Sequence, residues 1–399
     1  MSAAATWVDP LASAYPFLDT AVLHDLVGRE VSAAGLRHKP GFSTTATLTG
    51  PDGRPWGWAQ VLLGDQADKI DNARRRAAAR GGAIAVRRLP RGAGWFVCGD
   101  VGTDPRLHRA RDVISPIVPR LDRALESGAL HPLRYNALRR LVLRGSDHGG
   151  PLTRQRVLRL TAARQSVDRR ALGRLADLGV PLVAPLREDG VPTSRRATLW
   201  PWIDGIDLAA APDPTAARAA GAALARLHAV TASAVGSRIA AKVPPGEETD
   251  RTLRRVVETA VLIAPTLERR LDALVARLPG RPRHPGSIIH GDFSADQVVR
   301  AGGGVRIVDL DRLQLGAPHH DLGSFAASEL RRTGGWGLTG DMLAGHGAGT
   351  RPDELAAWTA HALLLRLTEP FRETSPTWVA DMDCRLDEVE HVLREGVLR

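Results

Sequence analysis

The segment IIHGDFSADQVVRAGGGVRIVDLDR, residues 288–312, constrains this chain more than any other. It holds a His-Gly-Asp turn, an amide five residues after the Asp, two short apolar runs about a glycine turn, and an acidic pair at its end. DQVVRA and GVRIVDLD, joined through GGG, read as the two strands of a hairpin. The pattern around them is helical, and one small hairpin inside a helical region needs a reason. A hairpin brings strand ends together. Gln297, at the start of the first strand, and Asp309, at the end of its partner, are therefore expected to converge beside the loop that carries Asp292. Hard oxygen ligands at one point suit Mg²⁺, which takes one or two protein carboxylates, phosphate oxygens and water. Asp292 is left to orient an attacking hydroxyl and accept its proton. Phosphoryl transfer needs that division of labour.

The rest of the chain sorts into three regions. In the first, residues 1–125, STTATLTG and WGWAQVLL read as two strands across a Pro/Gly turn, DQADKIDNARRRAAARGG as a helix, and AIAVRRL and GWFVCGDV as two more strands. The second, 126–205, repeats that order. LRRLVLRG and RQRVLRLTA are strands, SVDRRALGRLADLG is a helix capped by Ser166 and stopped by Gly179, and VPLVAPLRE and RRATLWPWI are strands about DGVPTS. The echo suggests a duplicated half-domain. The third region, 206–399, is mostly helical: PTAARAAGAALARLHAV, a stretch through 249–277, and helices near 321–332, 353–368 and 378–395, with the hairpin as its only strand signal.

Composition removes several function classes. With 399 residues, 43% of them apolar, the chain can build real cores. No window approaches the run of about 18 uncharged apolar residues that spans a bilayer, and MSAAATWVDPLASAYPF lacks the basic and apolar segments of a signal peptide. Cys98 and Cys384 stand alone, without metal-site spacing. These features predict a cytoplasmic, disulfide-free protein with no membrane partner. The formal charge of +10 invites a nucleic-acid reading. The basic residues are nearly all Arg, scattered over helices such as DNARRRAAARGG, and only 4% of residues are aromatic. Solvated helix faces explain that pattern better than a base-stacking platform does.

HGDFSADQ followed by IVDLDR resembles the signature of the aminoglycoside phosphotransferase and choline kinase-like superfamily. GAPHHDLGSFAA is similar to the family's Gly-x-Pro-x-x-Asp-Leu, ARLHAV to the helix before its catalytic loop, and ATLWPWIDGIDL to its hinge. The resemblance implies an α+β, bilobal protein-kinase-like fold with a small β-rich upper lobe at 126–205, a mostly helical lower lobe at 206–399 and an N-terminal α+β cap at 1–125. It makes Asp292 the catalytic base and His290 its structural partner in the loop. Asp309 becomes the principal metal ligand, Gln297 the second ligand in place of the usual Asn, and Asp321 the support of the loop. Gln in that place and an N-terminal cap are habits of the maltokinase-like branch, whose Glu-Gly-Glu-Pro is absent here.

The upper lobe departs from the family. The Lys that holds the donor phosphates is missing, with Arg159 the nearest substitute, and Asp168 replaces the helix Glu that would orient it. Trp200, Trp202 and Ile203 fall at the hinge, where they either contact the nucleotide or pack its core. Asp311 is either a metal or substrate contact or a strand-end partner for Arg312, the second being preferred. His319 and His320 read as a solvated loop. Glu369 and Arg372 either line the acceptor site or belong to ordinary helix packing. The expected function is Mg²⁺-dependent transfer of the γ-phosphoryl of ATP or GTP to a hydroxyl of a small polar acceptor: a sugar, aminocyclitol, nucleoside or amino alcohol. A nucleotide-binding pseudokinase or scaffold is the alternative, favoured by the missing Lys and Glu. A nucleic-acid-associated protein is the remote one, favoured by charge alone.

Overall fold

STTATLT alternates Thr with apolar residues in its second half, PWGWAQVLL is a nearly continuous apolar run of the kind buried on both faces, and the two form neighbouring strands. In the computed structural model, residues 9–90, 93–146, 152–164, 169–235, 247–278, 286–347, 349 and 351–398 are described. Ser166 and Asp168 lie outside them. Contacts divide the chain into two compact units: 1–164 with 186–202 and 369–379, and 165–185 with 203–368 and 380–399.

The first unit carries two antiparallel sheets. One comprises β1 (Ser32–Lys39), β2 (Ser43–Thr49), β3 (Pro55–Leu63), β4 (Ala85–Arg88) and β5 (Gly94–Asp100), in the order β1-β2-β3-β5-β4, with the helix Ala67–Ala78 between β3 and β4. The other comprises β6 (Leu130–Asn136), β7 (Arg140–Gly145), β8 (Arg156–Thr161) and β9 (Ala197–Pro201), in chain order. A single apolar cluster takes Trp58, Leu62 and Val97 from the first sheet and Leu141, Leu143, Leu158 and Leu199 from the second. Asp104 ties the segment before residue 107 to the β6–β7 hairpin. Its fully buried carboxylate accepts from the amides of Arg106 (2.8 Å), Leu107 (3.3 Å) and Leu138 (2.7 Å) and from the Tyr135 hydroxyl (2.8 Å).

The α+β class holds, but the strand count of the sequence reading changes. SAAGLRHK, read as nothing in particular, is β1, and LHPLRYN is β6. VPLVAPLRE is not a strand: Leu182 and Leu186 make only isolated bridges. Pro181 and Pro185 have no N–H to give a ladder, which is the physical reason. One strand rather than two therefore follows the helix Arg169–Asp177, and the strand pattern of the first half is not repeated.

The second unit is helical around five short strands: β10 (Ile206–Asp207), β11 (Ser287–Ile289), β12 (Val298–Ala301), β13 (Gly304–Ile307) and β14 (Gln314–Gly316). The expected hairpin is β12–β13, with Val298 opposite Ile307 and Ala301 opposite Gly304. It gains β10 as a third strand. β11 and β14, which the sequence reading missed, pair beside it. The predicted helix 249–277 is broken into Glu247–Ile263 and Glu268–Arg277 by a turn at Pro265. GLTGDMLAGH, unread in the sequence, is the helix Gly337–His346.

That helix packs on Pro214–Ala229 at backbone contact. A Cβ on Gly221 would sit 1.9 Å from the Met342 carbonyl oxygen, and one on Gly345 1.9 Å from that of Arg218. Only two glycines allow so close an approach. Gly221→Ala should therefore destabilise the protein by about 1–3 kcal/mol, the usual cost of overpacking, read as a lower urea midpoint. An unchanged midpoint would deny the close contact.

Candidate active site

Ile289 ends β11, and the chain turns at once into His290-Gly291-Asp292. Gly291 has φ +82°, and a Cβ there would lie 2.5 Å from the Arg312 carbonyl oxygen, so the turn accepts glycine alone. What holds the turn is Asp321, in the first turn of the helix Pro318–Thr333 and completely buried. Its Oδ2 accepts the His290 amide at 2.7 Å and its Oδ1 the Gly291 amide at 2.8 Å. His228 Nε2 lies 3.0 Å from Oδ2, and His320 Nδ1 3.6 Å from Oδ1. Burial by itself raises this carboxyl's pKa. The His228 hydrogen bond, with the nearby His320 and the charge of both rings, outweighs burial and holds it well below the usual carboxylate range.

The same turn is stitched to the segment after β13. His290, fully buried, donates from Nε2 to the Val308 carbonyl (2.9 Å), and its ring meets Phe293 edge-on at 5.5 Å. Val308 N–H in turn donates to the Gln297 carbonyl at 3.0 Å. Gln297 closes a short 3-10 turn, Ala295–Gln297, rather than opening the strand, and Asp309 lies two residues past β13. Asp309 is a non-glycine residue in the left-handed region, φ 59° and ψ 45°, a strained state that clusters at functional sites. Asp292 is half-buried. Arg312 Nη1 stands 3.3 Å from its Oδ2 and Arg366 Nη2 3.6 Å from its Oδ1.

By the chemistry of their oxygens, Gln297 and Asp309 are the residues here that could hold a hard cation. Gln297 Oε1 is buried and makes no hydrogen bond, an unsatisfied oxygen of the kind that normally has a partner. Asp309 follows its backbone neighbour Val308 directly. Among the described residues no three His, Cys, Asp or Glu side chains gather to hold a metal. An ion here would depend on one amide and one carboxylate, the sparse protein set that Mg²⁺ accepts.

The other sequence candidates are distributed as follows. Asp311 lies in the 3-10 turn Leu310–Arg312, whose Arg312 reaches Asp292. His319 and His320 are not a solvated loop: they form the first turn of a helix and are half-buried, His319 Nε2 lying 3.4 Å from Glu354. The proline at N1 fixes that helix start. Arg159 is buried on β8, between Val142 and Thr198 of the adjoining strands. Trp200 donates to Thr198 Oγ1 at 2.8 Å, and the Trp202 ring takes the Arg144 guanidinium at 3.7 Å. Ile203 follows in the second unit, half-buried. Glu369 and Arg372 bound a four-residue helix of the first unit, whose Phe371 packs on His38 of β1 and on Trp378.

Sequence reasoning missed His346 and Arg366. His346 Nε2 lies 2.9 Å from His228 Nδ1, which extends the chain Asp321–His228–His346 beneath the loop. His228 Nε2–H donates to the Asp321 carboxylate, and one of the two rings donates to the other across the His228 Nδ1–His346 Nε2 contact. The partners lie 93 and 118 residues apart in sequence, so no local signal marks them. Only ARLHAV, noted for its resemblance, points to His228.

A model of the phosphotransferase enzyme family matches residues 130–363, more than half of the chain. No curated protein sequence matches it significantly. Solved structures resemble it over most of their length. A choline/ethanolamine kinase family protein from Mesorhizobium loti aligns with TM-score 0.47 and 18% identity, over 72% of this chain and 95% of its own. An aminoglycoside 2′-phosphotransferase-IIIa in complex with GDP gives 0.47 and 20%, over 71% and 97%. A Plasmodium vivax ethanolamine kinase gives 0.45 and 10%, over 68% and 86%.

The histidine chain makes stability depend on pH. Burial first, then the charge of His228 and His319, push His346 down to about 4 from an ordinary 6.5. Between those values the unfolded chain binds a proton that the native state refuses, so stability falls as pH drops through that window and levels off below it. Asp321, also held low, loses stability in the same direction at lower pH. His346→Gln should flatten the change in urea midpoint between about pH 7 and 5. An equally steep change in the variant would mean that His346 does not titrate this way.

Proposed function

The chain belongs to the phosphotransferase enzyme family, and on that footing we propose that it is a small-molecule kinase moving the γ-phosphoryl of ATP or GTP to an acceptor hydroxyl. The observation that carries this reading is the buried, unsatisfied Gln297 oxygen in a turn whose backbone is bonded to the segment leading into Asp309. Most buried amide oxygens have a hydrogen-bond partner, and a place in a cation's ligand set would give this one its partner.

In the proposed reaction Asp292 accepts the acceptor's hydroxyl proton and aims the oxygen at the γ-phosphorus. The new O–P bond forms as the bridging β–γ bond breaks, and the electron pair leaves on the nucleoside diphosphate. The transition state is loose, so the side chains contribute mainly position. Asp321 supplies that position by fixing the two amides ahead of Asp292. His290, buried and bonded to Val308, is the proposed scaffold of the loop. Gln297 and Asp309 would hold Mg²⁺, which when bound neutralises phosphate charge. Arg159, Trp200, Trp202 and Ile203 are the proposed donor contacts, and Asp311, Glu369 and Arg372 the proposed acceptor contacts. The segment up to about residue 125 is the proposed cap. A second reading, nucleotide binding without turnover, draws support from the missing Lys, for which the buried Arg159 is the nearest substitute.

Asp292→Asn tests the choice between them. It should lower Mg²⁺-dependent nucleotide hydrolysis or transfer by about 10²–10⁴-fold, the span of a lost general base, while nucleotide still raises the melting temperature. A melting shift with no turnover in the unaltered chain favours the second reading; no shift with either nucleotide removes both. Asp309→Gly relieves a left-handed strain worth about 1–2 kcal/mol, so the variant should melt no lower than the parent yet lose turnover. Retained turnover would remove Asp309 from the ligand set.

A further inference from the structure

In the first unit, Leu107 and the helix His108–Ile114 bury Leu107, Ala110, Arg111 and Ile114, the i, i+3, i+4, i+7 stripe of a core-facing helix. Three of the four are apolar. The fourth is an arginine whose residue is only 8% exposed. The spacing asks for an apolar side chain there, and a guanidinium drawn that far out of water needs a counter-charge.

The protein does not supply one at bonding distance. Among the described residues the Arg111 guanidinium makes no hydrogen bond and no ion pair. The acids around it have donors of their own. Asp100 takes the Thr103 amide at 2.8 Å, Asp122 takes Arg120 Nε at 3.0 Å, and Asp104 takes three amides and the Tyr135 hydroxyl. These acids reach Arg111 through space alone, while burial first, and then the charge of Arg80, lower its pKa.

Nor is the guanidinium sealed in. None of its nitrogens is both unbonded and closed to solvent, and Arg111 lines a cavity of about 250 Å³ together with Arg80, Asp112 and Ser115, with Ile114 and Val118 among the apolar walls. Arg80 donates to Asp112, whose side chain is 57% exposed and so stands at the rim. Two guanidiniums against one carboxylate leave the lining positive. The volume falls below the roughly 300–1,000 Å³ of pockets that hold drug-sized ligands, so an occupant is small. The planar fork of Arg matches phosphate and carboxylate oxygens.

We infer that the cavity beside the helix His108–Ile114 binds a small anion, whose phosphate or carboxylate group is the counter-charge of Arg111. This unit holds none of Asp292, Gln297 and Asp309. The site therefore stands whether or not the chain turns over nucleotide.

The full chain is titrated in a calorimeter with inorganic phosphate, glycerol 3-phosphate, lactate and, as the uncharged control, glycerol, in chloride buffer of constant ionic strength. At least one of the three anions should bind saturably and raise the melting temperature by mass action; glycerol should do neither. Whichever of the phosphate and carboxylate probes binds tighter names the group. Arg111→Met should raise the Kd for that anion by about tenfold or more, as expected for a lost hydrogen bond to a charged group. Without anion it should melt no lower than the parent, because an apolar side chain replaces an uncompensated charge. Ser115→Asp, at an exposed position one helical turn on, brings a carboxylate to the same cavity and should also weaken the anion about tenfold. It decides the matter should Arg111→Met fail to fold. No saturable binding of any anion overturns the inference, as does binding that glycerol matches. A Kd unmoved in both variants overturns it too, since the anion is then held elsewhere on the chain.

Discussion

The site depends on one buried carboxylate. Asp321 has no contact with solvent, and a charge so placed is tolerated only when every lone pair has a donor. Its donors are the His290 and Gly291 amides and the His228 ring, with His320 close by. The requirement runs both ways. The loop amides would be unsatisfied without the carboxylate, and the carboxylate would be unaffordable without the amides. The conformation of the residues just before Asp292 is therefore set by the electrostatics of a residue thirty positions away.

Helix packing turns that interaction into architecture. Gly221 and Gly345 let two helices touch backbone to backbone, and the same contact carries His346 against His228 at the end of its helix. On the opposite side, His290 and Gln297 share Val308 between them, so the loop and the segment entering Asp309 cannot drift apart. The Gln297 oxygen, like the Nδ1 atoms of His290 and His346, is left without a hydrogen bond in this dense network, and Asp309 holds a strained left-handed backbone. Strain and an unmet hydrogen bond persist only where the surrounding structure over-determines them.

The excess of basic residues acquires a local meaning in the second unit. Several arginines pair with nearby acids, as Arg270 does with Asp383, Asp387 and Glu390. Such pairs are ordinary and contribute little. Arg312 and Arg366 differ because the acid they share is the proposed proton acceptor. A formal charge of +10 is thus a poor guide to partners.

By itself the sequence determined which reactive groups the chain owns and in what order. HGDFSADQ, IVDLDR and GAPHHDLG are short and local, and the β12–β13 hairpin they flank follows from its glycine turn and apolar runs. It was misleading where partners rather than propensity decide. SAAGLRHK becomes a strand because β2 is there to pair with it, and VPLVAPLRE fails as one because its prolines have no N–H to offer. Tertiary structure alone decided which atoms meet: His346 with His228, Arg366 and Arg312 with Asp292, and the Gln297 oxygen with nothing. Close helix packing and the need to satisfy buried charge make those choices, and neither leaves a trace in the spacing of residues along the chain.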